Sequence, residues 1–340
     1  MSTLAIDAHD LTGARLEELN PAVLIDTVGP FQGRDRTLAR ACAIQGIHYI
    51  DLADGRGFVE NVGLLNTLAL QNDALVISGA STLPALSSAV IKHLESAFSA
   101  IEEIEIGIAP GCSGPRGLAT IRSVLGYVGR PIPIWRESAL SRAHGWGATT
   151  RHRYPSPVGA RGLSLIDVPD TFLLPAAYPK LKRLAVRAGY EVAVVHHALS
   201  FLGYLVRMGL IRDLPRHAVL LQRLAAWFDG FGSDNGAMHV LVRGRDINGR
   251  PQSCTWTLVA ERGDGAQIPA TAAVVLAKKL LRVGGYAPIA ARGAVPAMNL
   301  LSLAEFEREW RSLAIHTSQS TQSSPAVAAG SLKAPVCRAP

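Results

Sequence analysis

Residues Ala22–Phe31 read AVLIDTVGPF, an apolar run broken by one acid and closed by a glycine and a proline. A helix-spaced stretch follows, and then HYIDLADG at His48–Gly55. Apolar runs of this kind are the pattern of parallel strands buried on both faces, each handing the chain to a loop at its carboxyl end. Parallel neighbours need a crossover between them, so strands that alternate with helices at this spacing imply layered α/β architecture. No other feature of the chain limits its fold as strongly.

Along the chain, Thr3–Asp7 is a short alternating run expected as a strand, and Leu11–Leu19 has helical spacing with Asp10 placed to cap it. Val23–Val28 is the first buried strand. Arg34–Gln45 is a helix with Leu38, Ala41, Cys42 and Gln45 on one stripe, closed by Gly46. His48–Leu52 is the next strand, Val59–Gln71 a helix, Ala74–Ser78 a third buried strand, and Pro84–Phe98 a helix begun by its proline. After Ile101 the pattern changes. Ile104–Ala109 alternates as a strand, PGCSGPRG is a loop, and Leu118–Tyr127 is helical. Arg130–Gly162 reads as irregular. Leu181–Leu210 and Pro215–Phe228 read as helices, with Leu220, Leu224, Trp227 and Phe228 on one apolar face of the second. Met238–Arg245 and Cys254–Glu261 are strands joined through the hairpin signal Asn248-Gly249. Ile268–Arg282 is a long apolar helix. Thr317–Pro340 is mostly Ser, Thr, Gln, Ala and Pro without period, and is expected to be a disordered tail.

At 340 residues, 48% hydrophobic and 18% charged, the chain suits one large domain or two modest ones with real cores. The formal charge of +7 is spread along the sequence and never forms a block, so a small anionic ligand fits it at least as well as nucleic acid. The densest stretch holds Arg130, Arg136, Arg142, Arg151, Arg153 and Arg161 with Trp135, Trp146 and Tyr154 among them. Such a stretch binds RNA, binds an acidic small substrate, or is a solvated loop. No RNA-binding motif accompanies it, and nucleic acid ranks last. Cys42, Cys112, Cys254 and Cys337 lack ligand or disulfide spacing and read as separate reduced thiols of a cytoplasmic protein. The start has no basic and apolar leader pattern, and the uncharged stretch Ala74–Ile91 divides into strand, loop and helix, so no membrane span is expected. His196 and His197 are neighbours on a helix and point about 100° apart, so they do not form a joint metal site. Metalloprotease, serine hydrolase and P-loop motifs are absent.

Three loops gather the candidate chemistry. Thr27, Val28, Gly29, Pro30 and Phe31 follow a parallel strand at the edge where open α/β sheets bind ligands. There Gly29 lets a ribose or nicotinamide approach the backbone, against the plainer reading of an ordinary turn. Asp51 and Asp54 flank Leu52 and Ala53 at the end of the next strand. Either carboxylate suits a ribose hydroxyl or a substrate amine, while Asp54 before Gly55 reads better as a helix cap. Gly79, Ser81 and Thr82 follow the third strand, where amides and hydroxyls receive a carboxylate or phosphate, or cap the helix.

The pieces AVLIDTVGPFQGRD, ARACAIQGIHYIDLADGRGFV, VISGASTLPALSSAVI, GIAPGCSGPRGLATI, GAMHV with TWTLVAERGDGAQIPA, and RGAVPAMNLLSLAEFE together resemble the saccharopine dehydrogenase-like oxidoreductases. The resemblance runs from about Pro21 to Glu309. It implies an α/β fold: a Rossmann-type parallel sheet over residues 1–98, an inserted α+β substrate and dimerisation domain over 99–264, and helices over 265–315 that return to the first domain before a tail at 316–340. It also implies an NADP (or NAD) cofactor near Thr27–Phe31, Asp51 and Ala53, hydride transfer to or from a small, anionic substrate, and a homodimer. Asp54, Gly79, Ser81, Thr82 and Arg116 are the corresponding substrate candidates; no catalytic residue is singled out. Relatives open with a further strand, a Gly-rich pyrophosphate turn and a second strand–helix unit, which this sequence lacks upstream of Ala22. The Rossmann sheet is therefore expected to be truncated, dinucleotide binding to be weak and the exposed sheet edge to seek a partner. The alternative is a non-catalytic relative that acts as a ligand-binding or dimeric protein.

Overall fold

The computed structural model of the chain describes residues 11, 13–112 and 117–323. Its first part runs α1 (Gly13–Leu19), β1 (Val23–Asp26), α2 (Thr37–Ile44), β2 (His48–Asp51), α3 (Arg56–Glu60), α4 (Asn66–Gln71), β3 (Leu75–Ser78) and α5 (Ser87–Glu95). Then come β4 (Ala100–Ala109), α6 (Leu118–Tyr127), β5 (Pro131–Arg136), β6 (Ala139–His144), β7 (Thr150–Arg153), β8 (Ala160–Leu165), α7 (Asp170–Ala177) and β9 (Arg183–Ala188). The chain finishes with α8 (Ala193–Arg207), α9 (Ala218–Ala226), β10 (Gly236–Arg245), β11 (Pro251–Ala260), α10 (Ile268–Leu280), β12 (Gly293–Pro296), α11 (Leu303–Trp310) and β13 (Ile315–Ser323). The run Thr3–Asp7 and its neighbour Asp10 lie outside the described residues.

Two sheets result. The first is parallel, in the order β1-β2-β3-β12, with Val23 opposite His48, Tyr49 opposite Val76 and Gly293 opposite Leu75. All its carboxyl ends therefore leave from one edge. The second has the order β13-β11-β10-β4-β9-β5-β6, with β8 beside β9 and β7 beside β8. Only β4 and β9 run parallel in it. The fold is thus α/β, with a Rossmann-like sheet beside a larger mixed one.

The sheets share a core. One apolar cluster runs from Ile50 and Ile77 of the parallel sheet to Ile104, Ile106 and Trp256 of the mixed one. The long helix α10 packs on β1, β2 and the turn before α5. Its small residues Ala272 and Ala273 are buried, which lets the helix axis come close to the strands. Above it, Phe306 and Trp310 lie with ring centroids 5.6 Å apart, and Trp310 Nε1 donates to Thr271 Oγ1 at 3.0 Å. Leu16, Cys42, Tyr49 and Val76 fill the other face of the parallel sheet.

Several expectations change. The stretch expected as one helix over Val59–Gln71 is broken into α3, a 3₁₀ turn at Val62–Leu65 and α4. Pro84 does not open a regular helix: a wide π-type turn spans Thr82–Leu86, with Leu83 extended, and α5 starts at Ser87. A residue before proline is pushed out of the helical region, which accounts for Leu83. Arg130–Gly162 is not irregular but holds three complete strands and the start of β8. Its first hairpin turns at Glu137-Ser138, both with positive φ (55° and 59°), where Asn-Gly would be the legible choice. The first part of the Leu181–Leu210 segment is β9, and the helix starts at Ala193. The expected disordered tail is partly a strand: β13 pairs along β11 from Ile315 opposite Ala260 to Ser323 opposite Gln252. An edge strand stabilised by its backbone ladder carries polar side chains freely, so its composition concealed it. Residues 324–340 lie outside the description. Among the described residues no helix is long and apolar enough to cross a membrane.

Candidate functional site

The β1 and β2 loops are built around buried acids. Asp26 Oδ1 accepts from the Val28 amide at 3.0 Å, and Oδ2 accepts from the Tyr49 hydroxyl at 2.9 Å and pairs with Arg34 at 2.9 Å. Arg34 also donates to the Val28 carbonyl at 2.6 Å, so Thr27–Pro30 is pinned on both sides. Asp51 Oδ1 accepts from the amides of Ala53 (3.0 Å) and Gly79 (2.8 Å) and from Ser78 Oγ (3.0 Å), tying the β2 loop to the β3 loop. Its Oδ2 is buried without a partner. Burial pushes the Asp51 carboxyl up to about 6, against the pull of those three donors.

Phe31 lies under the site with Phe58, ring centroids 5.2 Å apart, and Arg34 and Arg36 stack over the two rings. Gly55 allows the loops to meet: a Cβ there would sit 3.1–3.3 Å from the Phe31 and Gln32 backbone. Beyond them stands α6. Gln32 Nε2 donates to Ser123 Oγ (2.5 Å) and to Asp54 Oδ1 (3.2 Å), and Ser123 Oγ donates to Asp54 Oδ2 (3.0 Å). Arg56 Nε pairs with Asp167 at 2.7 Å, from the segment between β8 and α7. These links bolt two loops of the parallel sheet to the mixed-sheet part of the chain.

A cleft of about 330 Å³ opens here, lined among others by Phe31, Arg34, Arg36, Arg56, Phe58 and Asp167. Arg34 and Arg56 pair with acids, whereas Arg36 donates to the carbonyls of Gly57 (2.7 Å) and Phe58 (2.9 Å) and forms no salt bridge among the described residues. The cleft is therefore suited to an anionic group. In α6, burial together with the charges of Asp54 and Asp167 raises the Tyr127 phenol, which keeps its proton.

The sequence expectations sort unevenly on this geometry. Thr27 and Val28 are exposed at the β1 edge, and Gln32 and Asp54 meet across the seam. Asp51 and Ala53 are fully buried, so Asp51 is a brace between loops and neither residue reaches a ribose. Asp54 does not cap α3, whose cap position is Gly55; it binds Ser123 and Gln32 instead. Gly29 does not face open space: a Cβ there would lie 3.4 Å from Ala119 of α6. Gly79 is backed by Pro84 and Val59, has φ +83°, and does not line the cleft. Ser81 and Thr82 are half-buried, and Ser81 caps no amide. Arg116 lies outside the described residues. The arginine-rich stretch does not line the cleft: Arg136, Arg142, Arg151 and Arg153 are exposed on the β5–β7 strands, and Arg161 pairs with Glu191 at 2.7 Å. The arginines of the cleft come from the first part of the chain. Arg36 and Arg56 were missed, although two arginines within three residues after TVGPFQG signalled a basic loop at that edge. His196 is packed, hydrogen-bonded to Ser164 Oγ at 3.1 Å, and burial lowers it to about 4.

No protein-family model matches the sequence, and no curated protein matches it. Among solved structures, the fold is similar to apo saccharopine dehydrogenase (L-Glu forming) from Saccharomyces cerevisiae, with TM-score 0.61 at 10% identity over 93% of this chain and 89% of that one. A meso-dapdh mutant from Clostridium tetani E88 with DAP matches at TM-score 0.40 and 13% identity over 88% of this chain and 84% of the other. An amine dehydrogenase from Mycobacterium smegmatis matches at 0.32 and 13% over 52% and 61%. Only the first of these is close enough in shape to carry an argument, and it concerns fold. The chain has a saccharopine dehydrogenase-like fold.

Proposed function

We propose that this chain is an NAD(P)-dependent oxidoreductase of the saccharopine dehydrogenase-like kind, acting on a small anionic substrate in the cleft at the carboxyl edge of the parallel sheet. The observation that carries the reading is the Gln32–Ser123–Asp54 junction, which brings α6 over the loops of β1 and β2. Open α/β sheets bind ligands at that edge, and clefts between two parts of a fold are the common place for substrates. The described residues leave room for the nicotinamide half of a dinucleotide: Thr27 and Val28 are exposed beyond β1, while the Val28 amide and carbonyl and the Asp51 carboxylate are already committed within the protein. When bound, the cofactor supplies or accepts a hydride. The chain's own part is to hold the anion at Arg36, and to fix the loops through Asp26 and Asp51. Three buried, unlinked cysteines accord with a reducing, cytoplasmic setting.

The test is titration with NADPH, NADH and nicotinamide mononucleotide, followed by fluorescence, together with turnover on a panel of 2-oxo acids with amines. The mononucleotide is expected to compete with the dinucleotides, and Arg36→Ala to raise KM for anionic substrates more than it lowers kcat. Absence of binding by all three nucleotides refutes the proposal.

A further inference from the structure

The parallel sheet has a second edge, at the amino ends of its strands. There a cavity of about 300 Å³ opens beside the last turns of α4 and α10. The strands enter it at His48, Leu75 and Gly293, the first residues of β2, β3 and β12. Side chains fix these entries: His48 Nδ1 accepts from the Leu75 amide at 3.0 Å, and Asn66 Oδ1 accepts from the Ala294 amide at 3.1 Å. Burial lowers the His48 imidazole, which favours the neutral ring. With Nδ1 accepting, that neutral ring carries its proton on Nε2. Leu70, Leu280 and Ile289 give the cavity an apolar wall.

Cations complete the lining. Lys279 is buried and pairs with Glu305 at 2.7 Å, so its charge is met. Arg282 and Arg292 are exposed, and among the described residues neither guanidinium has a hydrogen bond or an ion pair. Asp73 is the only acid of the lining and pairs with neither of them. A basic side chain just past a helix meets the negative end of its dipole, which accounts for Arg282 after α10. It does not account for Arg292, which precedes β12 and belongs to no helix. Arg282 moreover takes a left-handed backbone, with φ +54°, where glycine is the ordinary residue after a helix. An arginine sits there at a conformational cost that glycine would avoid. The guanidinium fork matches the oxygens of a phosphate or a carboxylate, and small-molecule sites begin at roughly this volume.

We infer that this cavity is an accessory binding site for a small organic anion with an apolar body, a phosphate monoester or a dicarboxylate, held by Arg282 and Arg292. It lies at the opposite end of the strands from the Arg36 cleft and does not rest on the nicotinamide reading. The test is calorimetric titration of the full chain carrying Arg36→Ala, so that the cleft does not contribute, with phenyl phosphate and with phthalate as probes. Saturable binding of at least one probe below about 1 mM is expected, and the tighter of the two separates a phosphate ester from a dicarboxylate. Benzylamine, with the same ring and the opposite charge, should not bind. Arg282→Asn, a residue that tolerates the left-handed backbone, and Arg292→Gln should each weaken binding about tenfold. Together they should abolish it, with circular dichroism unchanged. Absence of saturable binding of both probes up to about 10 mM overturns the inference. So does binding that survives the loss of both arginines, or benzylamine binding as well as the anions, which would reduce the cavity to an apolar cleft.

Discussion

Asp170 offers the sharpest test of the packing between the two sheets. It starts α7, is fully buried, accepts from Ser87 Oγ at 2.5 Å, and leaves Oδ2 without a partner. Burial pushes its carboxyl up to about 6, against the hydrogen bond from Ser87. A carboxyl raised in the folded chain holds its proton more tightly there than in the unfolded chain. Its stabilising contribution is therefore complete below the unfolded value of 3.8 and is lost as pH rises through about 6. The gap between those values corresponds to ~3 kcal/mol. Asp170→Asn removes the ionisation and keeps an oxygen for Ser87, so any cost of the amide itself is independent of pH. Urea unfolding of both proteins between pH 4 and pH 8 should show the variant gaining about 2 kcal/mol on the wild type, most of it between pH 4 and pH 6 and almost none above pH 7. A difference that stays flat with pH would refute the reasoning, because it would mean that Asp170 is solvated or paired in the folded chain.

Gly79→Ala should destabilise the chain by about 2–4 kcal/mol, read as a lower urea midpoint, since φ is +83° and the new Cβ would lie 2.8 Å from Pro84. Ser123→Ala removes the oxygen shared by Gln32 and Asp54; faster hydrogen exchange at Gln32–Arg34 and Asp54–Gly57 is expected, with little loss of global stability. Cys42, Cys112 and Cys254 are buried, and burial pushes the Cys42 thiol up to about 12; a Cys337→Ser chain should therefore show no fast-reacting thiol toward a disulfide reagent until denatured.

The parallel sheet was legible because its strands are apolar on both faces: VLID, HYID and LVIS admit few other readings. The β10–β11 hairpin was legible for a different reason, the Asn248-Gly249 turn. Among the strands that escaped, β9 is buried along its middle and its RLAVRA was taken for helix, whereas three others have the opposite character. β6 is exposed over its first four residues, β7 reads TRHR, and β13 reads IHTSQSTQS, so backbone pairing rather than side-chain burial makes them strands. In the site, the loops at the carboxyl edge were found from strand position alone. The partners that define their chemistry were not: Ser123 is 91 residues from Gln32, and Asp167 is 111 residues from Arg56. Asp51 was misjudged for the same reason, since a carboxylate committed to the Gly79 amide looks identical in sequence to one waiting for a ligand.

The route of the chain between the sheets has a consequence for how the protein is made and divided. After β3 the backbone leaves the parallel sheet, builds most of the mixed one, returns to add β12 beside β3, and crosses again to lay β13 along β11. During synthesis both sheets therefore wait for the last thirty-odd residues of the described structure. A cut before Gly293 takes the outermost strand from each at once, and excising either half leaves it with an unpaired flank. The two halves are sewn together by the chain's end, so they should melt, and fail, as one.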